Sequence, residues 1–309
     1  MNPRVRPRNE IVGDIRAFLE AAESLPTPQG TALRIIELAR DADAGLEDLV
    51  RVIQTDPALT GFVLRAASAA RFYNMRGTAS VQHAVQRLGL NAIRSYALVL
   101  SLITQSRRLD CQAFDYDRFW AGSLHTGILT EALAVAAHHQ SADDTFALGL
   151  LGNVGMLAFA TAQPAEYSRV LAVARYAKTE LAPLEREVFG FDHHELAAVM
   201  LVDWGLPTST ADIVYWQRDP EGGGFAPGST PYLLASIVRL ARSASNYLLD
   251  PDEADAHLAN MHLRAAVIEL ETDILHEVVA NSVDALREWT RLIGMPMPAL
   301  DAQRLAALA

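Results

Sequence analysis

Cysteine and lysine are almost absent from this sequence of 309 residues, in which Cys111 and Lys178 are the single members of their types. One cysteine excludes an intramolecular disulfide and a zinc site built from cysteines. A reducing cytoplasm is the simplest setting for such a chain, so we expect a cytoplasmic protein. The glycine run at 222–224 lacks the following Gly-Lys-Ser/Thr of a phosphate-binding loop, and no Gly-x-Ser-x-Gly nucleophile motif occurs.

Signal peptides and membrane spans are also missing. The N-terminal segment MNPRVRPRNE is basic and broken by prolines, without the apolar run of a secretory signal. The longest uncharged run lies between Asp144 and Glu166, and Asn153, Gln163 and Pro164 interrupt it. Both flanks of this run are acidic rather than basic, which is not the pattern of a membrane helix. We therefore predict a buried core helix here and no membrane association.

Charge is unevenly spread along the chain. The net charge of −11 argues against general affinity for nucleic acids. The segment 57–109 nevertheless contains no acidic residue, whereas 250–288 contains ten acids and two arginines. One interpretation is that these segments pair within the fold, and the other is a basic surface for an anionic partner. The candidates for such a surface are Arg65, Arg71, Arg76, Arg87 and Arg94, and Arg107 and Arg108 complete the arginines of the segment.

Apolar residues follow a helical period nearly everywhere, and no series of strands or repeat of fixed length is apparent, so we predict an all-α fold. Asp56 followed by Pro57 is typical of a helix start. Asp192 with Glu195 three residues later resembles a capping box. The segment 81–106 has the pattern of two helices joined at Gly89, and 218–231 contains too many glycines and prolines for regular structure.

The stretch ALGLLGNVGMLAFA, residues 147–160, is predicted to be a buried helix, yet it contains three glycines and Asn153. Glycine disfavours helices, and asparagine is uncommon in a core. Small residues let helices approach closely, which is one explanation for the glycines. A buried Asn153 needs hydrogen-bond partners, which a pocket or a neighbouring backbone would supply.

Two clusters could suggest a metal site: His138-His139 with Asp143-Asp144, and the run Asp192-His193-His194-Glu195. Adjacent side chains on a helix diverge by about 100°, so neither dipeptide alone can enclose an ion. A turn explains the first cluster and helix capping explains the second, so we predict no metal at either. Ser123 and His125 diverge in the same way and are not expected to form a nucleophile–base pair.

A helix-turn-helix at 81–99 would place Arg87 and Arg94 near DNA. Its second helix, NAIRSYALVLSLI, is too apolar to present the polar face of a recognition helix. We therefore do not expect this segment to bind DNA.

Seven segments occur in a recognisable order: LPTPQGTALRIIELARD, LVRVIQTDPALTGFVLRAASAA, SVQHAVQRLGL, FDYDRFWAGSL, ALGLLGNVGML, FGFDHHELAAVMLVDWGLP and a Trp-Gln pair at 216–217. In this order they resemble the HDOD family, the HD-related output domains of bacterial signalling proteins. The resemblance covers residues 20–218, with 1–19 as an N-terminal extension and 219–309 as a helical extension packed on or beside the core. It implies an all-helical domain descended from the HD phosphohydrolase fold and generally not enzymatic.

The resemblance also implies that the ancestral metal site has degenerated. Where metal-binding relatives carry a His-Asp pair, this chain has Gly152 and Asn153. A family histidine after Phe-Trp corresponds to Gly122, and a later His-His pair corresponds to Trp216-Gln217. An amide is a much weaker ligand than a carboxylate for a hard cation. We therefore expect no catalytic residue, no metal and no cofactor.

Three functions are consistent with these features. We favour a regulatory module of bacterial signalling that acts without catalysis, through contacts with protein partners. The alternative is a sensor that binds a small anionic ligand, or less plausibly a nucleic acid, through the arginines of 57–109. A residual metal-dependent phosphohydrolase is the least favoured, because the metal ligands are missing.

Overall fold

A computed structural model describes residues 8–22, 25–26, 28–38, 45–68, 80–106, 111–138, 145–250 and 254–308. Within these ranges the chain is all-α and contains no strand, as the periodicity predicts. The helices, in chain order, are α1 (Arg8–Ala21), α2 (Thr31–Leu38), α3 (Leu46–Gln54), α4 (Pro57–Ser68), α5 (Val81–Ser106), α6 (Tyr116–Ala136), α7 (Thr145–Leu151), α8 (Val154–Ala162), α9 (Pro164–Ala177), α10 (Leu181–Phe189), α11 (His193–Asp203), α12 (Thr208–Trp216), α13 (Thr230–Leu249), α14 (Ala254–Val267), α15 (Thr272–Leu292) and α16 (Ala302–Ala306).

Aspartates cap the helices where the sequence predicts them. Asp56 Oδ1 accepts a hydrogen bond from the Leu59 amide at 3.0 Å, at the start of α4. Asp192 accepts from the amides of His194 and Glu195, and the Glu195 carboxylate accepts from the Asp192 amide in return. This reciprocal arrangement is a complete capping box, and it leaves fewer unpaired amides at the start of α11.

Two long apolar segments contain a break. Gly89 interrupts α5 with φ of 78° and ψ of 165°, and most of the second half of this helix is buried, as predicted. The stretch 147–160, predicted as one helix, is in fact two, because the chain leaves the helix at Gly152 and Asn153 between α7 and α8. Glycine disfavours the helix, and Asn153 is the residue before α8, where its side chain makes no capping hydrogen bond.

The glycines of this stretch also permit close packing. A Cβ on Gly149 would lie 2.6 Å from the Thr126 carbonyl oxygen of α6, and one on Gly155 would lie 2.0 Å from the His193 carbonyl oxygen of α11. No larger residue fits at either position without separating the helices. The close-packing explanation, which the sequence offers for Gly152 and Gly155, therefore holds for Gly155 and applies to Gly149 as well.

The C-terminal helices share one hydrophobic core with the rest of the chain. Helix α6 lies at the centre and contacts α7, α13 and α15. Trp289 of α15 packs against Phe62 of α4 and Phe146 of α7, with ring centroids 4.2 and 5.6 Å apart. Aromatic side chains contribute the largest buried areas in a core, so these contacts join α15 firmly to the preceding helices.

One window of the described chain, Thr145–Ala162, is apolar and long enough to cross a membrane, and 78% of it is buried inside the protein. It corresponds to α7 and α8, which pack against α6 and α11 respectively. The window therefore has the burial expected of core helices.

Candidate functional site

Three of the positions that the sequence associates with a degenerate metal site come together between helices. Gly152 and Asn153 form the turn between α7 and α8, and Gln217 follows α12. The buried Gln217 side chain donates from Nε2 to the Gly152 carbonyl oxygen at 3.2 Å and to that of Val214 at 2.9 Å. At this position, which the resemblance aligns with a family histidine, the chain thus has an amide that binds the turn itself.

The residue that completes this cluster is Arg242, which comes from α13 and which the sequence does not single out. Its Nη2 donates to Gln217 Oε1 at 2.9 Å, and its Nη1 lies 2.7 Å from His194 Nε2. We call Gly152, His194, Gln217 and Arg242 the Arg242 cluster. It joins four segments of the chain: the turn after α7, the start of α11, the end of α12 and the middle of α13.

Gly152 provides the space for this arrangement. A Cβ at position 152 would lie 3.4 Å from both Arg242 Nη2 and Gln217 Nε2. The nearest atom to such a Cβ is the Leu148 carbonyl oxygen at 2.9 Å, so a side chain at 152 requires the turn to shift. A histidine at 152, as the family resemblance implies for metal-binding relatives, would in addition have to fit against Arg242 and Gln217.

His194 is held neutral in this cluster. Burial, together with His193 and the charge of Arg242, lowers the pKa of His194 well below its usual value. Because a guanidinium can only donate, Nε2 of His194 is the acceptor and the ring proton resides on Nδ1. That nitrogen faces Asp192 Oδ1 at 3.7 Å.

A second arginine neutralises the carboxylates at the start of α11. Arg186 Nη2 lies 2.5 Å from Asp192 Oδ2, and its Nε lies 3.3 Å from Glu195 Oε2. Burial alone would raise the pKa of Asp192, but His194, His193 and Arg186 together lower it below its usual value. Both carboxylates are therefore committed to capping and to Arg186, as buried charges must be paired.

His193 is committed to a separate buried pair. Its Nδ1 lies 2.5 Å from Glu185 Oε2, which also accepts from the His193 amide at 3.0 Å. The other oxygen of Glu185 accepts from the Tyr167 hydroxyl at 2.8 Å. Burial and the negative charge of Glu185 raise the pKa of Tyr167 well above its usual value, so the phenol stays protonated.

These side chains do not fit a divalent metal. Within the part of the chain that the structure describes, no group of three or more histidine, cysteine, aspartate or glutamate side chains could hold an ion. His194 Nε2 and Gln217 Oε1 both accept hydrogen bonds from Arg242, and Asn153 Oδ1, on the turn itself, is a neutral amide oxygen without a hydrogen-bond partner among the described residues. The positive charge of the Arg242 guanidinium would also repel a metal ion placed beside His194 and Gln217.

The sequence profile of the HDOD domain matches residues 25–220, well over half of the chain. The chain belongs to the HDOD family. This match ends at residue 220, three residues after the Trp216-Gln217 pair and two after the predicted end of the domain at residue 218.

Solved structures resemble this HDOD protein over nearly its whole length. An HDOD domain protein of unknown function from Geobacter sulfurreducens is 21% identical, with a TM-score of 0.66 over 93% of this chain and 99% of that one. A Shewanella amazonensis SB2B protein, provisionally described as a phosphohydrolase, is 19% identical, with a TM-score of 0.62 over 94% of this chain and 98% of that one. At these identities the likeness establishes the fold alone.

The MmoQ response regulator from Methylococcus capsulatus str. Bath is 35% identical over 84% of this HDOD chain and 99% of its own, with a TM-score of 0.49. Among curated proteins none matches the chain.

The remaining predicted positions of the HDOD site lie around the Arg242 cluster without joining it. The Gly122 carbonyl of α6 accepts from Thr126 Oγ1 at 2.7 Å and lies 3.5 Å from Ser245 Oγ of α13. A Cβ on Gly122 would meet nothing within 4 Å. Trp216 packs under the backbone of Gly223, where a Cβ would lie 2.7 Å from the indole.

The arginines predicted as an anion-binding face are engaged in three separate places. Arg65 forms an ion pair with Glu288 at 3.6 Å, which joins the basic segment to the acidic one as the first interpretation of the charge pattern expects. Arg87 lies 3.5 Å from the Ala67 carbonyl. Arg94 is 7% exposed and donates to the Gly205 carbonyl, so it does not belong to an exposed face.

Arg71 and Arg76 lie outside the described residues, as do Arg107, Arg108, His139, Asp143 and Asp144.

Proposed function

We propose that this HDOD protein is a regulatory module that acts without catalysis, through contacts with protein partners. The observation that supports the absence of catalysis is the guanidinium of Arg242, which bonds His194 and Gln217 beside Gly152. Metal-assisted hydrolysis needs a cation with an open coordination position that can lower the pKa of a bound water. A guanidinium supplies positive charge without any such position.

Arg242 remains a cation at neutral pH. Burial, followed by the charges of Arg218 and Arg239, lowers its pKa to about 9, which is still above physiological pH. Arg242 therefore keeps its positive charge at neutral pH, and that charge continues to disfavour a metal ion at the Arg242 cluster. The charge belongs permanently to α13, and it ties the C-terminal helices to the HDOD core.

The first test measures metal and turnover. Protein purified in the presence of Mn²⁺, Fe²⁺ or Zn²⁺ is analysed by inductively coupled plasma mass spectrometry and assayed with bis(p-nitrophenyl) phosphate and cyclic dinucleotides. We expect substoichiometric metal and no hydrolysis above the buffer rate. One bound metal per chain together with turnover that a chelator abolishes would contradict the proposal.

Action through protein contacts is supported by apolar side chains that α9 leaves in solvent. Val173 and Tyr176 lie one turn apart and are 51% and 94% exposed. Exposed aromatic side chains are the residues that contribute most when a protein interface forms. Val135 of α6, 53% exposed, is a single apolar residue of comparable exposure and serves as a control.

The second test is cross-linking capture from the native cell extract with the full chain. We expect a defined set of partners that V173S/Y176S loses and V135S retains. An identical captured set for all three proteins, or none above the level of an unrelated acidic helical protein, would contradict an interface on α9.

A further inference from the structure

Four arginines, Arg242 itself among them, gather on a face that the charge pattern of the sequence does not indicate. They are Arg218 after α12, Arg239 and Arg242 on α13, and Arg264 on α14. Arg239 Nη1 donates to the Arg218 carbonyl at 2.8 Å, and Arg242 follows one turn later on the same face of the helix. Helix α14 packs against α13, and Arg264 lies close enough to Arg239 for its charge to act on that guanidinium. We call these residues the arginine group.

The guanidiniums of the arginine group are close enough to repel one another. Burial, followed by the charges of Arg264 and Arg218, lowers the pKa of Arg239 to about 10. The pKa of Arg242 is lowered by burial and by Arg218 and Arg239 in the same way. Like charges held together at partly buried positions destabilise a fold unless an anion compensates them.

Carboxylates of the described chain compensate this group incompletely. Glu180 pairs with Arg218, and Glu221 accepts from the Tyr232 hydroxyl at 2.9 Å. Both carboxylates also attract Arg239, but neither Arg239 nor Arg264 forms an ion pair within the described ranges. Asp192, which attracts Arg242, is already paired with Arg186. An acidic protein thus keeps a concentrated positive site with more guanidiniums than carboxylates.

We propose that Arg218, Arg239 and Arg264 bind a small phosphate-bearing ligand, with Arg242 as a fixed positive charge behind it. Guanidiniums present planar pairs of N–H donors that match phosphate oxygens, and three of them from separate segments can surround one phosphate group. All three side chains are only partly buried. The proposal goes beyond the regulatory role and does not depend on the identity of a protein partner.

Isothermal titration calorimetry and thermal shift measurements with inorganic phosphate, adenosine monophosphate and adenosine test this site at constant ionic strength. We expect phosphate-bearing probes to bind and adenosine to give no response. Stronger binding of adenosine monophosphate than of phosphate identifies a phosphomonoester ligand, and equal binding identifies phosphate itself. Absence of a response to both phosphate probes up to about 10 mM overturns the proposal.

Variants locate the binding. We expect R239Q and R264Q each to weaken phosphate binding about tenfold or more, because each removes charge-assisted hydrogen bonds. R65Q removes an arginine of the basic segment 57–109 and should bind as the wild type does. Equal affinity of R264Q and wild type, or loss of binding in R65Q, places the anion elsewhere and overturns the proposal.

Protein stability provides the control for folding. Arg264 makes no hydrogen bond within the described chain, so R264Q tests the site even where R239Q fails to fold. Removing one of several repelling charges should leave the Tm of unliganded R264Q equal to or above that of wild type. A lower Tm in R264Q, accompanied by unchanged phosphate binding, assigns Arg264 a structural role and contradicts the site.

Discussion

Replacement of Arg242 by glutamine is the most direct test of the Arg242 cluster. The guanidinium contacts His194 Nε2 at 2.7 Å and Gln217 Oε1 at 2.9 Å, and glutamine is too short to reach both. Each of these bonds has a charged donor, and hydrogen bonds to charged groups contribute about 1.5–3 kcal/mol. Water can reach the partly buried site and recover some of this, so we expect R242Q to lower the free energy of unfolding by about 2–4 kcal/mol.

The matched control is R287Q. Arg287 is a largely exposed arginine whose ion pair with Asp284 lies within one turn of α15. Such pairs contribute little, so we expect R287Q to stay within about 0.5 kcal/mol of wild type. Urea denaturation followed by circular dichroism measures both variants, and equal stability of R242Q and R287Q would refute the contacts of Arg242.

A second measurement on R242Q separates charge from packing. Arg242 is one of the groups that lower the pKa of His194, so its removal should raise that pKa. An NMR titration of the His194 ring protons measures the change. An unchanged His194 pKa in R242Q would mean that the guanidinium does not lie against the imidazole.

Three other predictions concern the buried core. Burial lowers the pKa of His125 to about 3 and that of His194 well below 6.5, so both remain neutral in the folded protein and charge on unfolding. Their contribution is therefore complete above pH 6.5 and is lost as the pH falls, by about 1.4 kcal/mol each at pH 5.5, and a flat urea-stability profile from pH 7.5 to 5.5 would contradict this. G155A should cost about 3 kcal/mol because its Cβ would lie 2.0 Å from the His193 carbonyl oxygen, whereas G122A, with nothing within 4 Å, should be neutral or stabilising by thermal denaturation. D192A removes the capping box and leaves Arg186 with a single carboxylate, so we expect a loss of about 3–5 kcal/mol, and a loss no larger than the roughly 1 kcal/mol of D56A would show that the Arg186 pair contributes nothing.

Local signals account for what the sequence predicts correctly. Apolar periodicity locates the helices, and Asp56, Gly89 and Asp192 mark starts and breaks through interactions within a few residues. These effects depend on the chain's immediate neighbours, so a window of sequence contains them. The order of the seven segments additionally identifies the HDOD family, which the profile match confirms.

The features that sequence reasoning misses are long-range. Arg242 lies 48 residues from His194 and 25 from Gln217, and no local pattern connects them. On an amphipathic helix an arginine is expected on the solvent face, and Arg239 one turn earlier strengthens that expectation for Arg242. The break at Gly152 and Asn153 is missed for a related reason, because an apolar window favours a continuous helix whereas the turn is stabilised from outside, by Gln217.

The absence of a side chain at Gly152 and the position of the Arg242 guanidinium are structurally related. A glycine at 152 removes a side chain and leaves room beside the turn, and the guanidinium occupies that room with its Nη2 3.4 Å from where a Cβ would lie. A bound metal would bring positive charge that depends on supply and that a chelator can remove. Arg242 brings the charge covalently, as part of α13, so the contact between the C-terminal helices and the HDOD core is made without an ion. The contact-based regulatory role that we propose would use this permanence, because Arg242 joins α13 to the start of α11 and to the end of α12 through hydrogen bonds that no chelator removes.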